Sequence, residues 1–203
     1  MLTIGERAAP STPASGYVSL YAKSDGILYA KDDAGVEYPV SSESLIGTLT
    51  ATTSGTSRDD FAAFPAGTKR IVISFNGVSS NGTDPFILQL GDAGDIEATG
   101  YNNVYTTFST SAAVSVAAST AGFQLNNPGN ATSTFFGQAV LVLMDAATNL
   151  WSFSCQLADV NQTRYHHCAG TKALSATLTR IRLTTTGGSN TFDAGSWNVA
   201  YAP

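Results

Sequence analysis

Metal-ligating side-chain types meet at one place in the chain, His166-His167-Cys168. Neighbouring residues project in divergent directions, whereas a Zn²⁺ site needs about four convergent nitrogen or sulfur ligands. Outside this triplet only Cys155 has the right chemistry. The segment therefore reads as an ordinary polar loop, with an ion shared by three chains on a threefold axis as the alternative. Asp92-Ala-Gly-Asp-Ile-Glu97 crowds three carboxylates together and offers oxygen ligands for Ca²⁺. It lacks the spacing of an EF-hand loop and reads as a solvated acidic turn. Glycan hydrolysis would need two carboxylates held across a cleft. Asp59, Asp60, Asp145 and Asp159 have the type, but nothing in the sequence pairs them. A Ser-His-Asp arrangement would have only the adjacent histidines of one segment as its base, and no Gly-x-Ser-x-Gly elbow surrounds a serine. No catalytic residue, metal or cofactor is assigned, and the chain is expected not to be an enzyme.

Aromatic and amide side chains in expected loops are the better site candidates, because sugar-binding surfaces use a ring face with a few hydrogen-bonding neighbours. Tyr101, Asn102, Asn103, Asn161, Gln162 and Tyr165 form the candidate ligand set. Oligomer interfaces enrich the same residue types, and that reading is preferred for Tyr105. Asn81, Asn130 and Asn161 each open an Asn-x-Thr triplet, to which no modification is assigned.

Charge narrows the classes further. Ten basic and fifteen acidic residues among 203 leave a formal net charge of -5. A nucleic-acid partner would want clustered Lys and Arg, and the densest basic spots are only Lys69-Arg70 and Arg180 with Arg182. The longest apolar run, Ala139 to Met144, is far too short to cross a bilayer. The N-terminal residues show no secretory leader, so synthesis in a cytoplasm and no membrane insertion are expected. Cys155 and Cys168 could pair across a hairpin, but buried free thiols are preferred.

These residues must be positioned by strands. Only 12% of the chain is charged, and small polar and β-branched residues abound, which suits half-exposed strands. Residues 1–16, with Pro10 and Pro13, read as an extended arm. Leu20-Tyr-Ala-Lys-Ser-Asp-Gly26 recurs as Leu28-Tyr-Ala-Lys-Asp-Asp-Ala-Gly35, giving a meander over 17–22, 27–31 and 36–40 with Asp- and Gly-containing turns. So small a unit rarely forms a core alone, and Tyr17, Tyr21, Tyr29 and Tyr38 are expected to contact a neighbouring chain or particle. Strands are then expected over 69–76, 85–90, 135–144, 150–157, 173–183 and 196–201, with 145–149 as a hairpin loop. The division is 1–46 for arm and meander, 47–56 for a connector and 57–203 for an antiparallel, jelly-roll-like β-sandwich; the whole is all-β.

The repeat Gly16-Tyr17, Leu20-Tyr21, Lys23, Asp25-Gly26, Leu28-Tyr29 resembles a short module of bacteriophage tail fibres. Phe64 through Thr83, Leu88 to Asp92 with Gly100-Tyr101, Leu174 to Leu183, and Phe192 to Ser196 resemble a fibre-tip domain of phage and prophage tail proteins. Asp159 to Gly170 matches no part of that pattern. The resemblance implies a homotrimeric virion fibre, assembled in the host cytoplasm. Its partners would be its own copies, tail or capsid proteins, and a host-surface glycan met by the tip. A monomeric carbohydrate-binding module is the alternative from another class, and a polysaccharide-degrading enzyme the third.

Overall fold

The computed structural model describes residues 4–40, 45–47, 49–61, 64, 67–110, 114–127 and 129–202, the side chains of 45–46 and 58–61 excepted. Asp59 and Asp60 thus lie outside the described side chains. The chain is all-β: no helix appears among the described residues. It divides into one unit of residues 1–44 with 202–203 and a second of residues 45–201.

The first unit is the three-stranded meander β1 (Ser19–Ala22), β2 (Leu28–Lys31) and β3 (Glu37–Pro39). Its turns follow the expected chemistry. The Asp25 carboxylate accepts the Ile27 N–H and Asp32 accepts those of Ala34 and Val36, while Gly26 and Gly35 take φ of 78° and 83°. The arm is not free. Arg7 N–H donates to the Ala22 carbonyl, Lys31 Nζ to that of Pro10, and Gly16 N–H to the Asp33 carboxylate. The described part of the expected arm is therefore hydrogen-bonded along the meander.

The second unit is a β-sandwich. Nine strands form the larger sheet: β4 (Leu45–Ile46), β5 (Thr50–Ala51), β7 (Arg70–Ser80), β9 (Asn102–Ser109), β10 (Ser115–Ser119), β12 (Phe135–Asp145), β13 (Leu150–Asp159), β14 (Arg164–Ala173) and β16 (Phe192–Ala202). Its main path runs β10-β9-β14-β13-β12-β7-β16-β4. The smaller sheet runs β11-β8-β15-β6, from Phe123–Gln124, Phe86–Gly91, Arg180–Thr185 and Ser57–Phe61. Because β4 and β5 both pair with β16, residues 45–46 belong to the sandwich and the expected connector is partly strand.

Pairing is nested. β9 pairs with β14, β8 with β15 and β7 with β16, outside the β12–β13 hairpin. The contacts Asn81–Thr191, Ser79–Asp193 and Gly77–Gly195 run the last pair antiparallel. Such nesting is the basis of a jelly roll, although here the two sheets are unequal. The inner rows of both sheets share one core, with Phe123 stacked on Phe153 at 4.3 Å and Phe86 between Phe135 and Phe192. Each large side chain so buried contributes about 1.5–3 kcal/mol.

Strands β12, β13 and β14 form two successive hairpins. Asn149 and Thr163 close them with φ of 49° and 51°. The left-handed conformation is ordinary for Asn but an outlier for β-branched Thr. The segment expected as a polar loop around His166 is instead strand β14, inside the larger sheet. Its alternation places His166 and Cys168 inward and Tyr165, His167 and Ala169 outward, a period of two hidden by the histidine doublet.

Candidate functional site

Two members of the candidate ligand set are structural. Tyr101 is 1% exposed, stacked edge-on to Phe123, and its hydroxyl donates to the Glu97 carbonyl at 2.8 Å while accepting the Leu90 N–H at 2.7 Å. Burial drives its pKa upward. The Asn103 side chain is buried and lends its oxygen to Gln124 N–H at 2.8 Å, its amide nitrogen reaching the Ala169 carbonyl. Only Asn102 faces outward, on the rim of a shallow depression of about 600 Å³ shared with Val104, Ser119, Gly170 and Thr171. The sequence could not show that Tyr101 precedes an edge where its hydroxyl is captured by two backbone groups. Tyr101→Phe is expected to cost about 1–3 kcal/mol in urea unfolding, because the buried Leu90 N–H loses its partner. An unchanged midpoint would contradict this role.

The acidic turn serves the same anchor. The Asp92 carboxylate accepts from the Ser175 hydroxyl at 2.6 Å and the Gly94 N–H at 2.7 Å, which hold its pKa below the usual carboxylate range. Burial works against the Glu97 carboxylate, but Lys172 and the Ser175 N–H outweigh it and leave its pKa lowered. Lys172 also lies over the Tyr101 ring, 5.3 Å from its centroid. The turn is thus a clasp between the β8 end and the loop after β14. Among the described residues no three His, Cys, Asp or Glu side chains gather as metal ligands.

Cys155 and Cys168 are opposite neighbours on β13 and β14, both buried free thiols. Burial pushes the Cys168 pKa strongly upward, leaving the thiol a poor nucleophile. His166 is likewise interior, its Nδ1 2.8 Å from the Thr107 hydroxyl and its Nε2 without a hydrogen-bond partner among the described residues. Desolvation lowers its pKa to about 4, partly opposed by Asp159 and assisted by Arg164.

Tyr165 stands on the outward side of β14. It is 41% exposed and lies opposite Phe108, itself 47% exposed, with ring centroids 6.4 Å apart. Phe108, which sequence reasoning passed over, completes an aromatic ledge whose signal was the outward parity of β9. Asn161 and Gln162 stand in the adjoining β13–β14 turn, where Asn161 Nδ2 donates to the Thr132 carbonyl and Gln162 N–H to Asp159. They are committed in part to fixing the turn.

Beyond the ledge, the outward row Ala118, Val104, Ala169, Ser154, Val140 and Val72 crosses six strands in register. The next row, on the Phe108 side, carries Thr106, His167, Gln156 and Gln138. On β9, β14, β13, β12 and β7 the outward positions hold no Glu or Lys, and the two charged residues stand at the border, Arg70 beside Val142 and Asp145 at the end of β12 opposite Leu150. A solvated face of an antiparallel sheet ordinarily alternates to charged and polar residues, so a face this poor in charge is unusual.

The meander tyrosines divide by face. Tyr21, Tyr29 and Pro39 share one row, where Tyr21 is fully buried, 6.1 Å from the Tyr29 ring. Tyr21 is therefore not available for an external contact, and Tyr29 is only partly so. Lys23 and Glu37 form an ion pair beside them, and Lys23 is the main cause of the lowered Glu37 pKa. Leu20, Ala30 and Tyr38 form a row on the other face, with Tyr38 52% and Tyr17 70% exposed.

No protein-family model, curated protein or solved structure matches the chain.

Proposed function

We propose that the chain is a non-enzymatic structural protein of a bacteriophage virion, a short homotrimeric fibre on tail or capsid that presents its β-sandwich to a host-surface glycan. The observation that carries this reading is the open face of the meander. Leu20 and Tyr38 are about half exposed there, and Val18, Val36 and Val40 are similarly uncovered. Apolar side chains on so small a unit call for a partner surface, because contiguous exposed apolar patches mark interaction sites. The resemblance of the Gly16–Tyr29 repeat to a tail-fibre module supplies the kind of partner, tail or capsid proteins. Tyr17 and Tyr38 are then the tyrosines that touch the particle or a neighbouring chain, while Tyr21 and Tyr29 hold the meander together.

For the glycan, the Phe108–Tyr165 ledge offers ring faces and the 159–163 turn offers amide and hydroxyl groups. An antibody against the chain is expected to decorate intact particles of the virus that encodes it. Recovery of the chain only in the soluble fraction of lysed hosts, with no label on particles, would remove the virion reading.

A further inference from the structure

We infer that the charge-poor outer face of the nine-stranded sheet is the surface by which copies of this chain associate, a conclusion that rests on the homotrimer reading above. The face is continuous. Outward residues of β10, β9, β14, β13, β12 and β7 lie in register, so side chains of neighbouring strands form rows. Five of the six residues in the central row are Ala or Val, and the sixth is Ser154. Small and β-branched side chains in a row leave a shallow relief that another sheet can approach closely, at about 10 Å between sheets.

Size supports a specific contact. Six strands about 4.8 Å apart and three rows about 7 Å apart span on the order of 600 Å² in projection. Side-chain relief brings the accessible area toward the roughly 800 Å² per partner of a standard stable interface. The electrostatics favour a second copy of the same chain over a different partner. Around a threefold axis the residues nearest the axis meet their own copies, so a carboxylate or ammonium in the middle of the face would meet like charge. Between β9 and β7 the middle of the face carries no Asp, Glu, Lys or Arg; Arg70 and Asp145 are both at the border. The chain's net charge of -5 is thereby kept off the surface where like charges would meet.

Thr106, His167, Gln156 and Gln138 make the row beside the apolar one and supply hydrogen-bonding groups that can pair across a symmetry axis. The Phe108–Tyr165 ledge lies one row further on, at the rim, where interfaces remain accessible to solvent.

The test is the solution mass of Ala169→Arg in the full chain, beside the wild type and Ala176→Arg in the turn after β14. Ala169 and Ala176 are both exposed, so an arginine at either position fits without entering the core. A trimeric wild type, a trimeric Ala176→Arg and a monomeric Ala169→Arg with an unchanged far-ultraviolet spectrum are expected, with at least a tenfold weaker association. Should Ala169→Arg fail to fold, Ser154→Glu, one strand away, is measured in its place. A wild-type trimer that both face variants preserve would overturn the face assignment and leave the fibre reading standing. Face variants that stay trimeric but lose binding to host polysaccharide would give the surface to a ligand, and equally overturn it. A wild type monomeric at every concentration would remove the fibre reading itself.

Discussion

A Gly195→Ala chain is expected to lose about 3–5 kcal/mol of stability, and Gly188→Ala only about 1 kcal/mol. Both glycines have positive φ, 86° and 65°, so both substitutions force an L-residue into the left-handed region. They differ in what a Cβ would meet. At Gly188 nothing lies within 4 Å, whereas at Gly195 the Gly77 carbonyl oxygen would be 2.2 Å away and the Val78 nitrogen 2.5 Å. The obstruction is backbone on a paired strand, which cannot rotate aside. The methyl would therefore push β16 off β7 where Trp197 and Val199 enter the core. Urea unfolding of the two variants separates local strain from close approach. Equal losses would mean that β7 and β16 do not pass so near each other, and the nested pairing would have to be redrawn.

Acidification from pH 6.5 to about 4 is expected to remove roughly 3 kcal/mol through His166 alone. The imidazole is buried against Phe135 and hydrogen-bonded to Thr107, and desolvation brings its pKa from 6.5 to about 4. The unfolded chain therefore takes up the proton first. This contribution is fully present above pH 6.5, declines as pH falls toward 4, and is flat below that. Asp159 raises and Arg164 lowers the imidazole pKa, and both charges are included in that window. Carboxylates such as Asp92 and Glu97 have lowered folded pKa values and add their own loss at lower pH, so the range 5 to 6.5 isolates the histidine. For a domain of this size the loss corresponds to a Tm lower by roughly 6–12 °C at the acid end of the window. His166→Gln keeps a partner for Thr107 and cannot titrate, so its melting temperature should be flat from pH 5 to 6.5. The same slope in both proteins would show that His166 is not the group responsible.

Local chemistry made the meander legible. Asp-Gly turns and an eight-residue repeat fix strand ends through backbone hydrogen bonds made within a few residues, as at Asp25 and Asp32. The strongest sandwich strands were legible from sequence pattern too: Phe135 to Met144 is a nearly continuous apolar run, and Trp197 to Tyr201 carries a visible apolar period of two. What escaped depended on long-range pairing. Strand β14 hides its inward row under His166 and Cys168, which are apolar in role but not in type, and β9 alternates Asn, Val, Tyr and Thr without a clear hydrophobic signal. Because β9 and β14 are neighbours, missing them also obscured the outer face. Tyr101 and Asn103 were misread as ligand residues because polar chemistry in an expected loop looks the same whether its partner is a sugar or a backbone amide. Tyr165, expected in a loop, stands exposed on strand β14, and Phe108 could be found only once register placed it opposite.

The central claim is that copies of this chain assemble in threes, and light scattering on the purified full chain across a hundredfold dilution tests it most directly. The account predicts one species of three times the 21.0 kDa chain mass that persists through the series. A mass of 21.0 kDa at every concentration would contradict it.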